Sequence, residues 1–299
     1  WACRCFPPAG DCEISMEANP GTLSREKVDA WKRSGVNRVS LGAQSFTDSE
    51  LAGVGRTHTS AMTLDSIRLL RRGGIRNLNL DLMLGLPGQT RRNWTRSLEA
   101  AARLHIEHLS VYMLDLDEAC TLQAEVSRGA LRLPEEELIA DLYLETIAFL
   151  EGCGYRQYEI SNFSLPGYAC RHNLKYWLRE PVVGFGLGSH SFDGGSRWAN
   201  TPEMELYLKA MDEDGDAVAF REPVDAARSL QETLFLGLRL NQGLDWRRLQ
   251  EVYGMDSVQK HADAIRDLFD RGFLQMAEGK VRLTPSGMLV SNEIFQLFV

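Results

Sequence analysis

Cysteine is scarce in this chain. Six of its 299 residues are cysteines (Cys3, Cys5, Cys12, Cys120, Cys153 and Cys170), too few and too scattered for a disulfide-stapled scaffold, and this fits a reducing compartment. Long apolar runs are also lacking. The longest, 78–86, is interrupted by Asn79 and Asp81 and falls well short of the roughly 20 residues that a membrane-spanning helix requires. The opening residues show no basic segment followed by an apolar stretch and a small-residue cleavage site, so a secretory signal is not expected and a cytoplasmic protein is. Basic residues are outnumbered 33 to 41, for a formal net charge of -8. That balance argues against a broad phosphate-backbone footprint, and nucleic acid is not an expected partner. The 44% of hydrophobic residues, in a chain long enough for two domains, can supply a core in each.

The first half repeats one pattern: a short strand-like run, a polar or glycine-bearing turn, then an amphipathic stretch of helical period. Strands are expected at 13–16, 38–42, 78–84 and 108–114, with helices at 25–34, 61–72 and 91–104 between them. Their apolar character predicts a parallel sheet covered by helices, with functional side chains gathered at the carboxyl ends of the strands. A long helix at 135–151 follows, then an extended segment at 154–161 and an irregular stretch of aromatics and glycines. From about residue 223 the pattern becomes helical, at 226–238, 246–253 and 258–271. Two short strands about a Glu278-Gly279 turn and a last helix then suggest a small winged-helix-like domain.

Several polar residues are placed to meet at one rim. Glu17, in Glu17-Ala18-Asn19-Pro20-Gly21, stands at a strand end before a proline and glycine turn. Gln44 ends the next strand, Arg56 follows in Gly55-Arg56-Thr57-His58, and Asp81 lies inside an apolar strand. A carboxylate in that position needs a partner: Arg56, a backbone donor or a cationic ligand group.

The phrases Glu17-Ala18-Asn19-Pro20, Gln44-Ser45-Phe46, Gly55-Arg56-Thr57-His58, 81–90 and Tyr158-Glu159-Ile160-Ser161-Asn162-Phe163 together resemble the haem-chaperone branch of the radical S-adenosylmethionine (SAM) superfamily, close to oxygen-independent coproporphyrinogen III oxidase. The resemblance runs from about residue 13 to the C-terminus. It implies an α/β fold: an incomplete (β/α)6-type partial TIM barrel at 13–155, a connecting region at 156–222, and a mainly helical, winged-helix-like HemN C-terminal domain at 223–299, after an unmatched segment at 1–12. It also implies SAM binding by Glu17, Gln44, Arg56 and Asp81, with Asp115 nearby. The chemistry agrees, since acids suit an ammonium or ribose hydroxyls and a guanidinium suits a carboxylate.

A second constellation is Arg171-His172-Asn173-Leu174-Lys175-Tyr176-Trp177, which by itself is an irregular loop with anchoring aromatics. The pattern His-Asn-x-x-Tyr-Trp resembles a hallmark of the haem-chaperone branch. The resemblance implicates His172, Asn173, Tyr176 and Trp177 in haem binding, with His172 as the residue to ligate iron. Cys170 is more simply a small buried thiol. The run 184–191 is rich in glycine, which lets backbone approach a ligand or a second strand closely.

The resemblance stops at the cluster. Radical SAM relatives hold a 4Fe-4S cluster on Cys-x-x-x-Cys-x-x-Cys, and Cys3, Cys5 and Cys12 have a different spacing. The glycine-rich turn that meets SAM is not found either. A cluster is therefore not expected in this chain, about two barrel strands are missing, and a truncated product is favoured over a partner-completed or naturally short one. The function implied is a haem chaperone passing haem to an acceptor protein such as a respiratory enzyme, with no catalysis expected from the chain alone. Its rivals are an enzyme resembling coproporphyrinogen III oxidase, and a non-catalytic interaction protein or inert fragment.

Overall fold

The computed structural model describes residue 5 and residues 7–116, 120–213 and 215–299. Residues 1–4 and 6, Cys3 among them, lie outside the described residues. The chain forms two compact units, Trp1–Cys170 and Arg171–Val299.

In the first unit the elements run β1 (Ser15–Ala18), α1 (Arg25–Arg33), β2 (Arg38–Gln44), α2 (Asp48–Gly53), α3 (Ser60–Arg72), β3 (Asn77–Leu84), α4 (Arg91–Arg103), β4 (His108–Met113), α5 (Thr121–Ser127), α6 (Glu136–Gly152), β5 (Arg156–Glu159) and β6 (Asn162–Ser164). Ser24, Thr59 and Thr90 cap α1, α3 and α4, each accepting the N–H three residues on. Caps of this kind are worth about 1 kcal/mol each and explain why these helices start where they do. The strand order is β1-β2-β3-β4-β6-β5, with the first four parallel and the last two antiparallel. Four parallel strands agree with the sequence pattern. The antiparallel pair was not expected as part of this sheet, and β1 begins at Ser15 rather than at residue 13.

The two faces of the sheet differ sharply. Val39, Leu41, Leu78, Leu80, Leu82, Leu84 and Leu109 are fully buried. Truncating one of them, Leu80→Ala for instance, would cost about 2–5 kcal/mol. Side chains of alternate residues point to opposite faces, so Arg38, Ser40, Asn79, Asp81, His108 and Ser110 share the other face. The register aligns Glu17, Ser40, Asn79, His108 and Ser164 in one row across five strands. A sheet apolar on one face and polar on the other is the pattern of an open barrel wall, helices outside and a polar interior.

The second unit contains α7 (Arg171–Trp177), β7 (His190–Phe192), β8 (Ser196–Asn200), α8 (Met204–Glu213), β9 (Val218–Pro223), α9 (Ala226–Arg239), α10 (Trp246–Tyr253), α11 (Met255–Gln259), α12 (Ala262–Asp270), β10 (Leu274–Ala277), β11 (Lys280–Leu283), α13 (Pro285–Leu289) and α14 (Ser291–Gln296). Strands β7, β8 and β9 form an antiparallel sheet, and β10 and β11 a hairpin. Two expectations are corrected here. The stretch 171–177 is a helix, not an irregular loop. It is too short to show a helical period, and it ends without glycine because Arg179 itself takes the left-handed conformation, φ 55°. The single helix expected at 258–271 is two, with a break at Lys260 and His261: the His261 N–H bonds back only three residues, to the Val258 carbonyl, and its own carbonyl accepts the Ile265 N–H to open the next helix.

Candidate functional site

The first unit brings a polar rim together at the carboxyl ends of its strands. Gln44 closes β2 in a left-handed conformation, φ 61°, which is rare for a residue with a side chain and signals a local constraint. Its side chain is buried, and its Oε1 finds no partner among the described residues. A Cβ added at Gly42 would lie 3.1 Å from Gln44 Nε2 and 3.4 Å from Asn19 Oδ1, so glycine leaves room for both amides. Arg56 Nη1 donates to Asn19 Oδ1 at 3.3 Å. This corrects the Arg56–Asp81 pair allowed by the sequence: the guanidinium is anchored by an amide and not by that carboxylate. Glu17 is exposed on β1, and Asp115 is exposed just beyond β4.

Asp81 is held from below. Ser40 Oγ donates to its Oδ2 at 3.0 Å and Asn79 Nδ2 to its Oδ1 at 2.8 Å. Burial pushes its carboxyl above the ordinary carboxylate range. The hydrogen bonds from Ser40, Asn79 and Ser110 oppose that push, and the nearby Glu17 charge adds to it. Two acids with mutual repulsion form a site that a cationic group would relieve.

The support for Asp81 extends inward. His108 Nδ1 meets Asn79 Oδ1 at 2.6 Å, and His108 Nε2 meets the Tyr158 hydroxyl at 2.8 Å. Because Asn79 spends its amide hydrogens on Ser40 and Asp81, its oxygen must accept. The proton of a neutral His108 is thereby assigned to Nδ1, and Tyr158 donates to Nε2. Burial, helped by the Arg38 charge, lowers the His108 pKa well below its ordinary value. Burial pushes the Tyr158 phenol strongly up. The chain ends at Cys170, whose N–H donates to the Tyr158 oxygen at 3.4 Å. Sequence reasoning missed Ser40, Asn79, His108, Ser110 and Tyr158. The alternation of Asn79 and Asp81 with leucines carried the signal for part of this set.

The second unit holds an apolar cleft of about 400 Å³ lined by Tyr176, Trp177, Val182, Phe192, Phe235 and Leu236, with Arg179, Glu180, His190, Ser191, Arg197 and Glu232 completing its walls. Tyr176 and Trp177 of the predicted motif therefore wall a cavity. His172 and Asn173 stand on the same helix but do not line it, and the His172 ring packs edge-on against Tyr176 at 5.0 Å.

Charge is concentrated at one part of this cleft. Glu232 receives Arg179 Nε at 3.1 Å, Arg197 Nη1 at 2.9 Å and Arg228 Nε at 3.3 Å. Burial disfavours its charge, but Arg197 and Arg179 outweigh that and hold its pKa below the ordinary value. The Arg179 and Arg197 guanidiniums lie 5.3 and 5.6 Å from the Phe192 ring centroid. Two buried donors, Arg179 Nη2 and Trp177 Nε1, have no partner among the described residues. An apolar cavity with two guanidiniums in its wall suits an aromatic ligand carrying acidic groups.

Residues 6–101 match the radical SAM superfamily, and residues 224–290 match the HemN C-terminal domain. The first match begins inside the segment 1–12 that showed no motif of the family. The chain is 40% identical over 301 residues to the heme chaperone HemW of Escherichia coli (strain K12), covering 98% of this chain and 76% of that protein. It is 37% identical over 297 residues to the heme chaperone HemW of Bacillus subtilis (strain 168), covering 99% and 78%. The chain belongs to the HemW family of radical SAM proteins.

Among solved structures, coproporphyrinogen III oxidase (HemN) from Escherichia coli, a radical SAM enzyme, superposes with a TM-score of 0.79 at 23% identity, covering 96% of this chain and 70% of that one. That likeness establishes the shared fold: a radical SAM partial barrel followed by a helical C-terminal domain. Among the described residues no three His, Cys, Asp or Glu side chains converge closely enough to hold a metal ion. No described helix is long and apolar enough to cross a membrane.

Proposed function

We propose that this HemW-family chain is a haem chaperone acting in the cytoplasm, binding haem as cargo in its second unit and releasing it to an acceptor protein such as a respiratory enzyme. The observation that carries the reading is the position of Tyr176 and Trp177, which belong to the His-Asn-x-x-Tyr-Trp motif and wall the apolar cleft beside the arginines. Haem is a flat apolar ring with two carboxylates. Aromatic and aliphatic walls remove its faces from water, and the guanidiniums of Arg179 and Arg197 offer donors to its acidic edge. His172 and Asn173 belong to the same binding helix, with His172 bracing Tyr176 by its edge-on contact.

In the same reading the rim of the first unit holds SAM through Glu17, Gln44, Arg56, Asp81 and Asp115. Gln44 Oε1, without a partner among the described residues, and the mutually repelling acids Glu17 and Asp81 fit a ligand with hydroxyls and an ammonium, and Arg56 fits its carboxylate. In radical SAM proteins SAM bound to a reduced cluster supplies a radical. This chain's own residues supply binding and orientation: Ser40 and Asn79 fix the Asp81 carboxylate, and Asn19 fixes Arg56.

The test is a haem titration of the purified chain followed by visible absorbance. Saturable one-to-one binding, weakened by replacing Tyr176 and Trp177 with alanine, is expected. Binding that does not saturate, or that the double replacement leaves unchanged, overturns the haem reading.

A further inference from the structure

We propose that His190, rather than His172, is the protein ligand to haem iron in this cleft, and that Arg179 and Arg197 receive a haem propionate. The proposal rests on the haem reading above and deepens it.

Three observations about His190 point the same way. It is a histidine lining the cleft, whereas His172 is not among the lining residues. It stands on β7 two residues from Phe192, so the two side chains share a strand face, and both border the cavity. Its ring is steadied by an edge contact with Phe220 on β9, centroids 6.1 Å apart, in a residue that otherwise stays exposed. An accessible imidazole on an apolar wall is the arrangement that haem iron requires of a protein ligand.

The backbone around His190 is built to a tolerance that only glycine meets. A Cβ on Gly184 would lie 2.4 Å from the His190 carbonyl oxygen and 2.9 Å from Ser189 Cβ. The Gly184 N–H donates to Ser191 Oγ at 2.9 Å. The glycine-rich run 184–191 thus presses its own start against the strand that presents the histidine, and fixes where the imidazole stands. This absorbs a motif that phosphate binding would not explain.

The acidic end of the ligand has its counterpart in the same cleft. Arg179 is locked by Glu232, Ser229 and Thr233 through Nε and Nη1, while its buried Nη2 has no partner among the described residues. Its left-handed backbone, φ 55°, shows that the surrounding structure holds it there against a local preference. Arg197 is the more accessible guanidinium of the pair, with 29% of its side chain exposed against 12% for Arg179. Arg228, the third guanidinium at Glu232, is also paired with Glu222, so Arg179 and Arg197 are the two that border the cleft and offer donors to a propionate.

The experiment is a ferric haem titration of the full chain, of His190→Ala and of His172→Ala, read by visible absorbance and by electron paramagnetic resonance. Circular dichroism melting confirms that each variant is folded. The wild type and His172→Ala are expected to show a nitrogen-ligated ferric signal. In His190→Ala that signal is expected to be lost and the dissociation constant raised about tenfold or more, with added imidazole restoring the signal. Haem dimethyl ester, which lacks the two carboxylates, should bind the wild type about tenfold or more weakly than haem.

A nitrogen-ligated signal that survives in His190→Ala and disappears in His172→Ala overturns the assignment while leaving the haem reading intact. Ester binding equal to that of haem removes the propionate contact. A wild type that takes up no haem overturns the assignment together with the reading beneath it.

Discussion

Acidifying the protein should expose the buried His108 in a way that one substitution can isolate. His108 is fully buried, with Asn79 accepting from Nδ1 and Tyr158 donating to Nε2, and burial lowers its pKa well below the ordinary 6.5. The folded state therefore binds fewer protons than the unfolded state at pH values between that lowered pKa and about 6.5. Stability from this group is full above the unfolded pKa and falls as the pH falls, by about 1.4 kcal/mol for each pH unit. The replacement His108→Gln keeps a donor and an acceptor in the site but cannot titrate. Urea denaturation of wild type and variant at about pH 7.5 and about pH 5.5 should show the wild type losing about 1.4 kcal/mol more than the variant over that range. The other titrating groups are common to both proteins and cancel. Parallel pH dependences would mean that His108 is not held neutral. A wild type that gains on the variant in acid would mean that the histidine is charged in the fold, and either result would refute the assigned chain from Asp81 to Tyr158.

Two further outcomes follow from the charged groups. Asp81 has a raised pKa, so a cationic ligand group meets its charged form only above that pKa. SAM affinity, measured by calorimetry, should rise with pH through a window above the ordinary carboxylate range, and Asp81→Asn should flatten the dependence. Flat wild-type binding would separate Asp81 from the ligand. In the second unit, Glu232→Ala leaves Arg179 and Arg197 facing one another without their carboxylate. It should destabilise that unit by about 3–5 kcal/mol in urea denaturation, because one partner of a buried ion cluster has been removed. A loss under about 1 kcal/mol would show that the cluster is solvated as a surface pair.

Much of the architecture was legible in the sequence because periodicity reports local structure directly. The four parallel strands and their helices appeared as apolar runs separated by capped amphipathic stretches, and the Glu278-Gly279 turn lies between β10 and β11 with both residues in the left-handed region. The motif phrases likewise identified the family before any coordinates. Glu17, Gln44 and Asp115 could be placed at the strands' carboxyl edge because strand order and direction fix which end of each β/α unit carries its loop.

The sequence by itself therefore determined the four β/α units of the first half and the family. The tertiary structure alone decided which polar residues meet. Pairing across β2, β3, β4 and β6 joins Ser40, Asn79 and His108 into the support beneath Asp81, and contacts among residues far apart in the chain have no local periodic signature. Arg56 finds Asn19 instead of Asp81 for the same reason. In the second unit, a helix too short to announce itself and a strand that begins thirteen residues later converge on one cleft, which Trp177, His190, Arg197 and Glu232 all line. Their proximity is a consequence of packing, which no single stretch of sequence encodes.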